Sequence, residues 1–149
     1  MKFFLYVGAP GAGKTYLAKL IQARLGGLLI DDPRTIDEIL RIPPDTKVVH
    51  ITDPNFCLER VRKKVTISLE REFPGCRLIW LFFENNIEQC RANVIERDDG
   101  RKVEGSLRRF GKEYTWPTGQ ELLPCYNDEV DYNQLADYIV DEQIIAAQS

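Results

Sequence analysis

Short apolar segments alternate with longer amphipathic segments along this chain of 149 residues. The apolar segments predict β-strands at about residues 3–7, 28–30, 47–51 and 77–83. Helical periodicity predicts helices at about residues 14–25, 34–41, 55–73, 86–97, 104–114 and 131–147. Strands that alternate with helices favour a mostly parallel sheet, so the pattern predicts an α/β fold with three layers, α/β/α. Segment 77–83 is the most apolar and is expected at the centre of the sheet, and a short edge strand is expected near Pro124.

Composition is ordinary for a globular protein, with 44% hydrophobic and 29% charged residues, and we expect one domain over residues 1–149. The net charge of −3 argues against a generally cationic nucleic-acid binder, although a local basic patch can still contact a nucleic-acid end. The first apolar segment is too short for a signal peptide or a membrane span. The four cysteines show no C-x-x-C pairing and the chain has one histidine, so we expect reduced thiols, a cytoplasmic location and no zinc site.

The segment between the first predicted strand and the first predicted helix carries a phosphate-binding motif. It fits G-x-x-x-x-G-K-[ST], the P-loop, and it has the strand before it and the helix after it that this motif requires. We therefore expect this loop to bind a nucleotide through all eight of its residues: Gly8, Ala9, Pro10, Gly11, Ala12, Gly13, Lys14 and Thr15.

The residue types of this loop suit a phosphate chain. Glycines at positions 8, 11 and 13 can take positive φ and allow backbone N–H groups to approach an anion. The helix N-terminus adds partial positive charge. Lys14 supplies a charge for the outer phosphates, and the hydroxyl of Thr15 can join the ligands of a magnesium ion.

Three acidic residues follow the second and third predicted strands, at the sheet edge where open α/β sheets bind ligands. Asp31 can accept a proton from an attacking hydroxyl and help to orient magnesium, or one carboxylate of the Asp31–Asp32 pair can cap the next helix. Arg34 can pair with Asp31, grip a substrate phosphate or face solvent. Asp53 ends a strand as a magnesium-binding carboxylate does, and a residue of an Asp-Pro turn is the alternative.

Cationic residues crowd the segment that begins with the predicted helix 86–97. An arginine that closes over a transferring phosphoryl group can raise the rate by roughly a thousandfold or more. We expect a lid at about residues 91–105, mobile over about 97–103, with Arg91 and Arg97 as the catalytic candidates. Arg101 and Lys102 belong to the same group, and a solvated charged face is the alternative for all four.

With these motifs, the chain resembles the P-loop kinase family, and within it the kinase domain of bacteriophage-type polynucleotide kinase. The resemblance covers about residues 1–127 and rests on five stretches: 8–15, 31–34, 51–55, 91–97 and 123–127. It implies that Asp31 is the general base, that Arg34 holds a phosphate of the acceptor and that a lid arginine engages the donor phosphates. The lid arginines are offset by about one residue from the family spacing, so the resemblance does not choose between Arg91 and Arg97.

The sequence therefore predicts a magnesium- and ATP-dependent kinase whose acceptor hydroxyl belongs to a nucleic-acid 5′ end or a nucleotide-like molecule. Two alternatives stay open: a small-molecule kinase, and a P-loop ATPase or nucleotide-binding switch that acts on a partner. Asp31 and Arg34 favour a kinase, because a switch needs no acceptor-binding pair. ATP is the default nucleotide, since the chain lacks an Asn-Lys-x-Asp signature for guanine. The acceptor and the oligomeric state are not specified.

Overall fold

The structure is a computed structural model that describes residues 1–100 and 102–148. Its strands are β1 (Lys2–Val7), β2 (Leu28–Asp31), β3 (Val48–Thr52) and β4 (Arg77–Phe82). Its helices are α1 (Lys14–Leu25), α2 (Ile36–Leu40), α3 (Glu59–Glu72), α4 (Ile87–Arg97), α5 (Glu104–Glu113) and α6 (Tyr132–Gln148), with a 3₁₀ helix at Pro54–Cys57 between β3 and α3.

The four strands form one parallel sheet in the order β2-β3-β1-β4. β1 lies inside the sheet and is buried at five of its six positions. The apolar strand β4 lies beside β1 at the other end of this order, so the prediction that it is central was wrong. The expected edge strand near Pro124 is instead a single parallel bridge between Phe83 and Leu123.

Helices cover both faces of the sheet, which confirms the predicted three-layer α/β/α fold. On one face α1 packs against β2 and β3, and α6 packs on α1. On the other face the 3₁₀ helix contacts β1, α3 and α5. The apolar core between the layers includes four side chains that are fully buried: Phe3, Leu5, Leu17 and Ile51.

Two helices begin later than the periodicity predicts, and local backbone geometry explains one of them. Asp53 accepts a hydrogen bond from the Asn55 backbone N–H at 2.9 Å and so caps the 3₁₀ helix. This tight turn delays α3 until Glu59. The segment after Pro33 becomes helical only at Ile36.

Two smaller expectations concern the cysteines and membrane spans. All four cysteines are free thiols. Within residues 1–100 and 102–148, the structure contains no helix with the length and apolar character that crossing a bilayer requires.

Candidate functional site

A cleft of about 510 Å³ opens where β1, β2 and β3 end, beside the loop that joins β1 to α1. This is the edge at which open parallel sheets bind ligands. Loop residues, strand-end residues and residues of α4 and α5 form its walls. The lining residues are Pro10, Gly11, Gly13, Lys14, Thr15, Tyr16, Asp31, Asp32, Thr52, Pro54, Asn93, Glu96, Arg97, Val103, Ser106, Tyr126 and Asp128.

The P-loop has the backbone of an anion cradle. Gly11 and Gly13 adopt φ values of 86° and 105°, which glycine takes without the strain that a Cβ would bring. Three loop carbonyls accept hydrogen bonds from the protein. Those of Gly8 and Ala9 accept from the Lys14 ammonium, and that of Ala12 accepts from the Tyr126 N–H at 2.9 Å. The Ala12 N–H donates to the Ala9 carbonyl at 3.1 Å, and the N-terminus of α1 offers donors for a phosphate chain.

The Lys14 ammonium lies at the base of this cradle. It donates to the Gly8 carbonyl at 2.6 Å and to the Ala9 carbonyl at 3.1 Å, and the residue is 9% exposed. Burial lowers the pKa of Lys14, while Asp53 and Asp32 are among the nearby groups that act in the opposite direction. A buried ammonium with neutral carbonyl partners gains strongly from an incoming anion, which is the role of a phosphate-binding lysine.

Asp31 joins the end of β2 to the P-loop. Its Oδ1 accepts a hydrogen bond from the Thr15 hydroxyl at 2.9 Å and another from the Thr52 hydroxyl at 2.5 Å. All three side chains line the cleft, and Asp31 is exposed to it. The structure therefore brings together the predicted acidic residue and the predicted loop hydroxyl, and it adds Thr52, which the sequence analysis missed.

The Thr15 and Asp31 oxygens suit magnesium, which takes one or two protein oxygens together with waters and substrate phosphates. Within residues 1–100 and 102–148, no cluster of three or more His, Cys, Asp or Glu side chains is arranged to hold a metal by itself. Such a sparse set fits an ion that arrives with a phosphate chain. Asp53, the other predicted metal ligand, lines a neighbouring groove, and its Oδ1 is engaged by the Asn55 N–H and side-chain amide. Burial raises the pKa of Asp53.

Asp32 has an unusual backbone. Its φ of 51° places a non-glycine residue in the left-handed region, where an L-amino acid is strained. Its N–H donates to the Thr52 carbonyl at 2.7 Å, which extends the β2–β3 pairing by one bond, and its side chain lines the cleft. Strain of this kind concentrates at functional sites.

Arg34 lies outside the main cleft. It lines an adjacent groove of about 230 Å³ together with Lys64, Asp53 and Asn55. Its backbone N–H donates to Glu38 Oε2 at 2.6 Å. The structure therefore separates the predicted acceptor-binding arginine from the loop and puts it in a second, neighbouring depression.

The two candidate lid arginines have different surroundings. Arg97 lines the cleft and forms an ion pair with Asp99 at 2.7 Å. Arg91 is absent from the cleft wall and forms a two-point ion pair with Glu104, at 3.0 and 2.9 Å, that joins α4 to α5. This pair raises the pKa of Arg91, chiefly through its hydrogen bonds to Glu104. Arg101, the third arginine of this segment, lies outside the described residues.

Aromatic residues and one asparagine complete the cleft near α4 and α6. Tyr16 and Tyr126 line it and contact each other edge to face, with ring centroids 5.2 Å apart. Tyr132 lies behind them and donates to the Pro124 carbonyl at 2.6 Å. Asn93, to which no role was assigned from the sequence, lies on the cleft wall. Its spacing of four residues before Arg97 is the signal that puts both on one helix face.

A parallel four-stranded sheet with this cradle is the fold of P-loop kinases. Solved structures with the fold include a gluconokinase from Sinorhizobium meliloti 1021, with a TM-score of 0.70 and 15% identity over 99% of this chain and 97% of that chain. A fungal RNA kinase has a TM-score of 0.67 and 13% identity over 97% of this chain and 85% of that chain. Kti12 from Chaetomium thermophilum, solved with ADP-AlF3, has a TM-score of 0.64 and 16% identity over 93% of this chain and 97% of that chain.

Sequence comparison places the chain in a family. It is 31% identical over 111 residues to protein R277 of Acanthamoeba polyphaga mimivirus, an uncharacterized protein, in an alignment that covers 68% of this chain and 76% of R277. The chain therefore belongs to the same family as R277. No protein-family model matches the chain.

Proposed function

We propose that this protein is an ATP-dependent phosphotransferase that moves the γ-phosphate to an acceptor hydroxyl. One observation carries the proposal: Asp31 Oδ1 accepts from the P-loop hydroxyl of Thr15 at 2.9 Å, at the wall of an open cleft. A carboxylate beside the end of a phosphate cradle stands where an acceptor hydroxyl meets the γ-phosphate. The exposure of Asp31 supports access by such an acceptor.

The transfer uses the described side chains in sequence. The P-loop N–H groups and Lys14 hold the phosphate chain, and Arg97 lies over the cleft from α4. The acceptor oxygen attacks the γ-phosphorus, the bond to the β–γ bridging oxygen breaks, and ADP leaves with that electron pair. Asp31 takes the hydroxyl proton or aligns it. Charge on the transferring group is then balanced by Lys14 and by a lid arginine.

Magnesium fits this site through Thr15 and Asp31, and when bound it would neutralise the β- and γ-phosphate oxygens. Asp31 is thus proposed both to orient the metal and to receive the proton. A cytoplasmic location belongs to the same proposal, because the cysteines are free thiols.

A nucleic-acid 5′ end or a nucleotide-like molecule is the proposed acceptor. The groove beside Asp53 supports a phosphate-bearing acceptor, because two cations, Arg34 and Lys64, line it together with apolar side chains that include Ile39 and Val65. An acceptor that spans the cleft and this groove would put its hydroxyl near Asp31 and its phosphate near Arg34. The likeness to an RNA kinase and to a gluconokinase gives the fold without choosing between polymeric and small acceptors.

Matched variants test the chemistry with γ-labelled ATP. Lys14→Ala removes the cradle's charge and should abolish turnover. Asp31→Asn keeps the side-chain shape and should retain MgATP binding while losing transfer. Asp141→Asn, an exposed change on α6, serves as the control and should behave as the wild type. Full transfer by Asp31→Asn would remove Asp31 from the role of base.

An acceptor panel tests the substrate class. The panel contains a 5′-hydroxyl oligonucleotide, a nucleoside 3′-phosphate, a nucleoside and gluconate. Label on either of the first two supports the proposed acceptor, and label on gluconate alone assigns a small-molecule kinase. Label that appears only as free phosphate, and only with a partner protein present, would identify a nucleotide-driven switch and contradict the proposal.

A further inference from the structure

The P-loop rests directly on α4. A Cβ built on Gly11 would lie 2.5 Å from the Cys90 carbonyl oxygen and 2.9 Å from Val94 Cγ2. Real Cβ atoms do not approach so closely, so the loop backbone and the helix are in full contact at this point. Any movement of α4 relative to the loop must therefore alter the packing beneath Gly11.

One side chain bridges this contact with hydrogen bonds. Asn93 Nδ2 donates to the Gly11 carbonyl at 2.8 Å and to the Tyr126 carbonyl at 2.8 Å. Its Oδ1 accepts from Gln89 Nε2 at 2.9 Å, one turn earlier on α4. The amide has two donors and both are used on backbone carbonyls, while its oxygen is held by Gln89, so its orientation is determined by its partners.

Asn93 also stands one turn before the cleft arginine. Residues four apart on a helix share a face, and both Asn93 and Arg97 line the cleft. A side chain that anchors α4 to the loop at Asn93 consequently fixes the helix backbone one turn before Arg97, whose guanidinium pairs with Asp99 at 2.7 Å. Among the described residues of α4, only Asn93 donates a side-chain hydrogen bond to the backbone of residues 8–15.

We propose that Asn93 is a positioning residue that holds the P-loop open for phosphate and holds Arg97 over it. The Gly11–Ala12 peptide unit is held at both ends, because its carbonyl accepts from Asn93 and its N–H, that of Ala12, donates to the Ala9 carbonyl at 3.1 Å. The second bond, to Tyr126, ties the same amide to the segment that leads into α6. The part of this inference that concerns Arg97 rests on the proposed phosphotransferase function; the part that concerns the loop does not.

Two variants remove the donors in different ways. Asn93→Ala deletes the amide. Asn93→Asp keeps its shape and its acceptor for Gln89, but it presents a carboxylate instead of an N–H group to the two carbonyls. Asn86→Ala is the matched control: Asn86 Oδ1 caps α4 by accepting from the Gln89 N–H at 3.1 Å, so its loss weakens the same helix without touching the loop.

The first measurement needs no nucleotide. Hydrogen exchange of peptides covering residues 8–15 should be about tenfold faster in Asn93→Ala and Asn93→Asp than in the wild type, because a loop that loses one hydrogen bond opens more often. The control should leave exchange in this segment unchanged while lowering the melting temperature. Unchanged loop exchange in both Asn93 variants would overturn the inference.

The second measurement uses MgADP and γ-labelled ATP. Both Asn93 variants should bind MgADP about tenfold more weakly than Asn86→Ala and should also have a lower kcat. The reason is that a hydrogen bond that shapes the loop affects both nucleotide binding and the transfer step. A loss of thermal stability equal to the control's with no change in MgADP affinity would reduce Asn93 to a structural role and refute the proposal. Faster loop exchange in the Asn93 variants, combined with no nucleotide binding by the wild-type protein, would retain the loop assignment and remove the proposed function.

Discussion

Substitution of Gly11 by alanine tests whether the P-loop and α4 form one rigid unit. Gly11 has φ of 86°, and its nearest neighbour is a backbone oxygen, that of Cys90, at 2.5 Å from the position of a new Cβ. A flexible side chain could rotate away from a methyl group, but a helix carbonyl cannot. The methyl group must therefore push α4 and the loop apart.

The size of the effect follows from two contributions. An L-residue in the left-handed region costs about 1–2 kcal/mol. Overpacking against a well-packed neighbour adds about 1–3 kcal/mol. Together they predict a loss of about 2–5 kcal/mol, which for a domain of this size lowers the melting temperature by roughly 4–20 °C.

Gly75→Ala is the matched control, because Gly75 also has positive φ, at 81°, and a Cβ there would meet nothing within 4 Å. It should show the backbone cost alone, about 1–2 kcal/mol. Chemical denaturation of both variants measures the difference, and calorimetry with MgADP measures the site. Equal destabilisation by the two substitutions, with normal MgADP binding by Gly11→Ala, would refute the close contact between the loop and α4.

Three further predictions concern the surroundings of the site. Tyr132→Phe should cost about 1–3 kcal/mol in denaturant unfolding, because the Pro124 carbonyl loses its donor in a buried region. Burial lowers the pKa of His50, so the neutral imidazole favours the folded state. The contribution of His50 to the free energy of unfolding should be full above the unfolded pKa of about 6.5 and should fall as the pH drops below it. Urea titrations at successive pH values should show a flatter pH dependence in His50→Gln. Arg97→Ala should reduce kcat by about a thousandfold in the labelled-ATP assay, because Arg97 lines the cleft. Arg91→Ala should keep kcat within about tenfold of the wild-type value, because Arg91 does not line the cleft. A larger loss in Arg91→Ala than in Arg97→Ala would contradict the assignment.

Local pattern predicted the elements of this fold but not the order of its strands. Segment 77–83 is highly apolar, yet β4 pairs with β1 alone among the named strands, and the two inner positions belong to β3 and β1. β4 is an outer strand in which Ile79 and Phe82 are buried, so apolar content does not by itself report position in the sheet. Trp80 illustrates this, since it packs edge to face against Phe56 of the 3₁₀ helix with centroids 5.4 Å apart.

The candidate site shows the same division between local and long-range information. The P-loop and the link between Thr15 and Asp31 follow from a motif and from the ends of two strands, which the sequence makes visible. Asn93 was not assigned a role, because an asparagine within a helix has the pattern of a surface residue until its carbonyl partners are known. Arg91 was grouped with Arg97 by proximity in sequence, but six residues along a helix separate their surroundings, and Glu104 holds the former away from the cleft wall.

The proposed function depends most on a loop that is already shaped to hold a triphosphate before the ligand arrives. Calorimetry with a magnesium-bound, non-hydrolysable ATP analogue tests this directly. We expect saturable binding at one site, lost in Lys14→Ala and retained in Asp31→Asn. Absence of binding by the wild-type protein, with the analogue and with the corresponding GTP analogue alike, would contradict it.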